Sequence, residues 1–189
     1  MKNILLFVAF LLITETTFAR DKPRDGLGKY LYSLNLVSKL FSKITENAGL
    51  ITHSPNRSKF KDMAVAFNKK VVILIVNKNN LIGILSKKGF NDHRFPNSVR
   101  IIQQNVTDLK KILMDNRPII DVLRIPNFAT VEIYDKLNFR SYENDELLRQ
   151  IKKTHSKAFK RKIIDNLTQS IVILNECKGK VAALYAEAK

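Results

Sequence analysis

The sequence predicts an all-α fold, a bundle of several amphipathic helices packed in a single domain. Apolar residues recur at steps of three and four along most of the chain, which is the spacing of one helix face. The 189 residues are enough to enclose a hydrophobic core. With 6 Gly and 5 Pro, the composition excludes a low-complexity or disordered chain.

The N-terminal residues 1–19 are predicted to be a secretory signal peptide. Lys2 supplies a positive start, an apolar run covers residues 4–13, and residues 17–19 form a small-x-small cleavage site. The run is about ten residues long, short of the roughly 20 that span a bilayer. We therefore expect cleavage after Ala19 and a secreted, extracellular protein that is not transmembrane. Residues 20–26 then form a flexible basic leader ahead of one helical domain, residues 27–189.

The first predicted helix starts at Leu27 and carries apolar residues on one face as far as Ala48. Gly49 follows at the position where glycine commonly ends a helix. A turn at residues 54–56 then leads into a second apolar series from Phe60 to Leu85. This second series predicts a long helix.

Residues 71–85 allow two interpretations. The β-branched run at 71–76, the Asn-rich residues 77–80 and the apolar run at 81–85 also suit a β-hairpin, which would make the fold α+β. An isolated pair of strands is only marginally stable in water, and the neighbouring segments are helical. The pattern therefore favours one long buried helix over the hairpin.

Four more helices complete the predicted bundle. Residues 96–98 are expected to cap the first, and Pro118 to open a short second one. A third starts at residues 126–127. Ser141 is expected to cap the longest helix, with acidic residues in its first turn, cations further on, and Gly179 as its kink or end.

The single cysteine and three sequons give weak functional signals. Cys177 has no partner within the chain, so it is either a buried apolar residue or the link of a disulfide-bonded dimer. Its position in an apolar series favours the buried thiol. The three candidate N-glycosylation sites are Asn56, Asn105 and Asn166, about the number that chance would give in this composition.

No motif in the sequence indicates catalysis, a metal site or a cofactor. The serine-hydrolase elbow, the zinc-protease motif, the phosphate-binding loop and the dinucleotide fingerprint are all missing. Asp92 precedes His93, but sequence neighbours in a turn usually face water. The three His are not spaced as metal ligands. We therefore expect a protein that is not an enzyme.

The best functional signal is a cationic segment, residues 149–162, which contains no acidic residue. The whole chain carries a net charge of +16. On a continuous helix, most of its cations would form one stripe of positive charge, where like charges repel. A polyanion would relieve that repulsion. The candidate polyanion-binding residues are Arg149, Lys152, Lys153, Lys157, Lys160, Arg161 and Lys162.

Three lysine pairs could extend this patch if the bundle brings them to one side, namely Lys69-Lys70, Lys87-Lys88 and Lys110-Lys111. The competing interpretation is a solvated surface of a Lys-rich chain, since net charge by itself predicts non-specific contacts.

The sequence predicts a secreted, basic, helical binding or effector protein. It would act by attachment to an acidic glycan such as a glycosaminoglycan, to another anionic surface, or to an extracellular protein partner. Specific nucleic-acid recognition is disfavoured because no reader motif is present. One alternative is a bundle that carries a small apolar ligand, lined by residues 71–85. A further alternative is a membrane-active host-defence or toxin-like protein.

Overall fold

The computed structural model describes residues 26–46, 48–121 and 156–187, and every regular element in these ranges is helical. The described helices pack against one another around a common core, which confirms the predicted all-α bundle. The signal peptide and most of the leader lie outside the described residues. So do the predicted helix that starts at residues 126–127 and residues 149–155, half of the cationic segment.

The described ranges contain four long helices and three short elements. We label the α-helices in chain order as α1 (Gly26–Glu46), α2 (Ala48–Thr52), α3 (Arg57–Lys87), α4 (Phe95–Asp115), α5 (Arg117–Asp121) and α6 (Lys157–Glu187). A short 3₁₀ turn, Gly89–Asn91, joins α3 to α4.

Helix α3 lies between α4 and α6, and α6 also packs along α1. The ends of α3 show its direction relative to α6. Lys61 lies over the ring of Tyr185 near one end, and Phe90 approaches Phe159 at the other. The two helices are therefore antiparallel, and the lysine cleft described below forms where the end of α3 meets the start of α6.

Residues 71–85 lie within the uninterrupted helix α3, so the hairpin alternative is wrong. Val71, Leu74, Leu81 and Leu85 all point into the core at helical spacing. Burial of these side chains against α4 and α6 provides the stabilisation that two isolated strands would lack.

Two predicted helix boundaries are wrong by a few residues. Helix α1 ends at Glu46, and Gly49 lies inside the short helix α2, so Gly49 does not end a helix. Helix α4 begins at Phe95 after Arg94, with Pro96 in its first turn and no side-chain cap. Gly49 does not adopt a positive φ, the conformation in which glycine favours helix termination.

The described part of the predicted long helix from Ser141 is helical over Lys157–Glu187, but the predicted continuity through Ser156 is wrong. Ser156 is not helical, and α6 begins at Lys157. Ser156 Oγ accepts a hydrogen bond from the backbone N–H of Phe159 at 3.1 Å, which is the role of an N-cap. Gly179 does not end this helix, since α6 continues to Glu187.

Candidate functional site

An open cleft of about 250 Å³ lies between the C-terminal end of α3 and the N-terminal end of α6. We call it the lysine cleft. Three of its lining side chains are lysines, Lys88 from the end of α3 and Lys157 and Lys160 from α6. Its lining contains no acidic residue. The full set is Lys88, Gly89, Phe90, Asn91, Ser156, Lys157 and Lys160.

The wall formed by the 3₁₀ turn depends on one glycine and a cluster of rings. Gly89 has φ +69°, a left-handed conformation that ends α3 without the steric cost that a Cβ atom would add. Phe90 packs edge-on against Phe95 at 5.5 Å between ring centroids, and it lies 6.3 Å from Phe159. These contacts connect the turn to both α4 and α6, so the wall is anchored on two helices.

A buried carboxylate fixes the chain just after this turn. Asp92 accepts hydrogen bonds from the backbone N–H, Nε and Nη2 of Arg94 at 2.9, 3.0 and 2.8 Å. These bonds hold the pKa of Asp92 well below its usual range. His93 is 89% exposed, and its Nδ1 is 3.8 Å from the carboxylate. Asp92 therefore pairs with Arg94 and supports the start of α4.

The other wall of the lysine cleft is the first turn of α6. In an α-helix the first N–H groups lack partners inside the helix, and Ser156 satisfies that of Phe159. The first turn contains no acid, while Lys157 and Lys160 lie there beside the positive end of the helix dipole. Cations at this end cost about 0.3–1 kcal/mol each. The cleft is thus a concentrated positive region without a compensating charge in its lining.

The structure divides the predicted polyanion-binding residues. Lys157 and Lys160 line the cleft. Arg161 and Lys162 follow them in the sequence of α6 and are exposed. The remaining candidates, Arg149, Lys152 and Lys153, lie outside the described residues. Because Ser156 precedes the helix, a single helical stripe does not continue from residue 149 to residue 162.

Only one of the three additional lysine pairs joins this surface. Lys88 lines the cleft, whereas Lys70 pairs with Asp108 across α3 and α4 at 2.6 Å. Lys70 is also about 27 Å from Lys88 along the axis of α3, at 1.5 Å per residue. The pairs at 69–70 and 110–111 therefore belong to a different part of the molecule.

Comparison with protein-family models, curated proteins and solved structures finds no match. The site is therefore interpreted from its own residues. Within the described ranges, no group of three or more His, Cys, Asp or Glu side chains is arranged to hold a metal ion. No described helix combines the length and the apolar character needed to cross a membrane.

Two further polar clusters are buried between helices, away from the lysine cleft. Lys78 Nζ donates to Ser170 Oγ at 2.8 Å between α3 and α6, and both residues are fully buried. Burial lowers the pKa of Lys78 to about 7. The pair is enclosed by the core, so a substrate would have to open the bundle to reach it.

The second buried cluster contains the only cysteine. Lys180 Nζ donates to Ser38 Oγ at 2.8 Å, joining α6 to α1, and Cys177 lies buried beside them. Burial raises the pKa of the Cys177 thiol to about 11. This location agrees with the buried thiol that the apolar series favours. A disulfide to a second chain would require the contact between α1 and α6 to open.

The three sequons differ in accessibility. Asn105 and Asn166 lie inside helices with 7% of their surface exposed, and Asn105 Nδ2 donates to the carbonyl of Ile101 at 2.8 Å. Asn56 lies half-buried in the turn before α3. A glycan needs an exposed amide nitrogen, so the folded structure favours Asn56 over the other two.

The sequence pattern did not identify one wall of the cleft. Gly89, Phe90 and Asn91 carry no binding motif in the sequence, whereas the pair Lys87-Lys88 just before them does suggest a cationic surface. Gly89, which follows the two lysines at the end of the helix, is the sequence signal for a turn at this position. Their approach to Lys157 follows from the antiparallel packing of α3 and α6, which no local pattern encodes.

Proposed function

We propose that this protein is secreted and acts without catalysis by binding polyanions through the region around the lysine cleft. The observation that supports this most strongly is the convergence of Lys88, Lys157 and Lys160, from two distant chain segments, on one cleft whose lining contains no acid. A concave surface lined by one sign of charge concentrates the field and attracts opposite charge.

The arrangement of these lysines is energetically unfavourable in the free protein, and this favours binding of a polyanion. The lysines of the first turn of α6 oppose the helix dipole, and the adjacent cations repel one another. A sulfated or phosphorylated chain would neutralise these charges and release its own counterions. Arg161, exposed one helical turn after Lys157, would extend the contact along the same polymer.

The other predicted functions have less support in the described part of the chain. The inward side chains of residues 71–85 belong to the common core, so they do not indicate a ligand cavity. A membrane-active role and a protein partner remain predictions from the sequence.

The proposal is tested by salt elution of the protein, purified after secretion of the full-length chain, from a heparin column and from a cation exchanger of equal charge density. An arranged site predicts that heparin retains the protein to clearly higher salt. Equal elution from the two columns would contradict the proposal. It would show that retention depends only on the net charge of +16 and not on an arranged site.

Charge reversal locates the site. Reversal of Lys157 and Arg161 to Glu should remove the excess retention on heparin. The matched control reverses Lys59 and Lys69, two exposed lysines of α3, and changes the net charge equally. If both double variants lose the same retention, the binding surface is not at the start of α6.

A further inference from the structure

We propose that the lysine cleft holds one sulfated sugar unit of a longer glycan, with the sulfate between the three lysines and the sugar ring against Phe90. This inference rests on the proposed function and adds the chemistry of the ligand. It is derived from the size of the cleft, the position of its charges and the aromatic ring in its wall.

The size of the cleft restricts the ligand to a small group. Its volume of about 250 Å³ lies below the roughly 300–1,000 Å³ of pockets that enclose drug-sized molecules. One sugar ring with its charged substituent suits this space, and the neighbouring units of the chain would lie outside. The exposed cation Arg161, one helical turn after Lys157, is placed to meet the charge of such a unit.

The charges approach the cleft from two sides. Lys88 comes from the end of α3, while Lys157 and Lys160 come from the first turn of α6, so an oxyanion between them can accept charge-assisted hydrogen bonds from both walls. The polar side chains of Asn91 and Ser156 also line the cleft. They provide hydrogen-bonding groups suited to sugar hydroxyls.

Phe90 gives the cleft an apolar surface, and its packing decides between a sugar and a nucleobase. The ring is half-buried and is held by Phe95 and Phe159. Single-stranded nucleic acids bind largely by stacking on accessible aromatic rings. Among residues 34–46, 48–121 and 156–187, every aromatic side chain is buried or half-buried. A sugar needs only the accessible part of one ring for its C–H face, so the cleft favours a glycan.

Protection of lysines from acetylation, measured by mass spectrometry, tests the location. We expect a trisulfated heparin disaccharide to protect Lys88, Lys157 and Lys160, and to leave Lys59 and Lys69 unchanged. The unsulfated disaccharide should protect none of them. Equal protection of the three cleft lysines by a short oligothymidylate would overturn the assignment to a glycan.

Two pairs of variants test the two parts of the cleft by calorimetric titration. Lys88→Gln should weaken disaccharide binding about tenfold, the loss of one charge-assisted contact, while the control Lys59→Gln should not. Phe90→Leu should weaken binding of the disaccharide but not of inorganic sulfate, and Phe90→Tyr, which keeps the ring, should restore it. Unchanged binding in Lys88→Gln would overturn the inference.

The two proposals can fail separately. Excess retention on heparin without protection of the cleft lysines would keep polyanion binding and overturn the sugar subsite. Protection of those lysines without excess retention would keep the subsite and overturn attachment to a polymeric surface.

Discussion

At the scale of single residues, one lysine in the core makes the stability of this protein depend on pH. Lys78 is fully buried, and its pKa falls to about 7 because burial disfavours the ammonium form. In the unfolded chain the pKa is close to the ordinary value of 10.5. Between these values the unfolded state holds a proton that the folded state lacks, so folding becomes more favourable as pH rises.

We therefore expect the free energy of unfolding to increase by about 1–2 kcal/mol between about pH 7 and pH 8.5. The change should be absent in Lys78→Met, whatever the absolute stability of that variant. Urea unfolding at several pH values provides the measurement. A variant that keeps the full increase would show that other groups cause it.

Cys177 by itself makes the stability of the protein decrease as pH rises above about pH 9. The measurement for Lys78 therefore ends near pH 8.5. Burial raises the thiol pKa from 9.0 to about 11, so between these values the folded state keeps a proton that the unfolded state loses. Stability contributed by the neutral thiol is then lost as pH rises. Between about pH 9 and pH 10.5 this loss opposes the gain from Lys78, so we expect the urea midpoint to increase more with pH in Cys177→Val than in the parent protein.

At the scale of elements, the end of α3 depends on the backbone conformation of one glycine. A second glycine, inside the same helix, allows this conformational effect to be compared with helix propensity. Gly89 has φ +69°, whereas Gly83 lies inside α3, and an added Cβ would meet no atom within 4 Å at either position. The two sites therefore differ in backbone conformation and not in available space.

Replacement of each glycine by alanine should change stability in opposite directions. Gly89→Ala is expected to lower the free energy of unfolding by about 1–2 kcal/mol because the left-handed conformation is strained for alanine. Gly83→Ala should raise it by up to about 1 kcal/mol through helix propensity. Urea midpoints measure both changes. Equal changes would show that Gly89 is not held in this conformation in solution.

The start of α6 couples stability to binding through Ser156. Ser156→Ala should cost about 1 kcal/mol because the N–H of Phe159 loses its acceptor. Ser156→Asp should restore this loss, since a carboxylate also caps a helix and suits its dipole. The carboxylate would also place a negative charge in the lysine cleft. We expect Ser156→Asp to match the parent in thermal unfolding while it elutes from heparin at lower salt than Ser156→Ala.

At the scale of the whole molecule, the net charge of +16 opposes compaction. Ion pairs such as Lys70 with Asp108 and Arg117 with Asp121 compensate part of this charge. Screening of the remaining repulsion should stabilise the fold. We expect the Tm to rise by a few degrees as NaCl increases from about 10 to about 150 mM.

The variant with Lys59 and Lys69 reversed to Glu is the control for this effect. Its lower net charge should reduce the dependence of Tm on salt. A Tm that is independent of salt in both proteins would show that charge repulsion contributes little to the stability of the folded state.

The sequence by itself determined the helical class and most of the core. Steps of three and four place side chains on one helix face, so the series from Phe60 to Leu85 indicates which residues point inward. The same series includes position 78 as an inward site, although its lysine hides the signal. Local capping patterns were less informative: Gly49 lies inside α2, and α4 begins at Phe95, before the predicted cap at residues 96–98.

Only the tertiary structure decided which charges lie together. The antiparallel arrangement of α3 and α6 brings Lys88 to Lys157 and Lys160 across nearly 70 residues of sequence. Ser156 separates the helical cations from those before it, and Lys69 and Lys70 lie far along the helix. Hydrophobic periodicity specifies the face that a helix buries, but helix direction and register depend on packing between distant segments, and these determine where the surface charges converge.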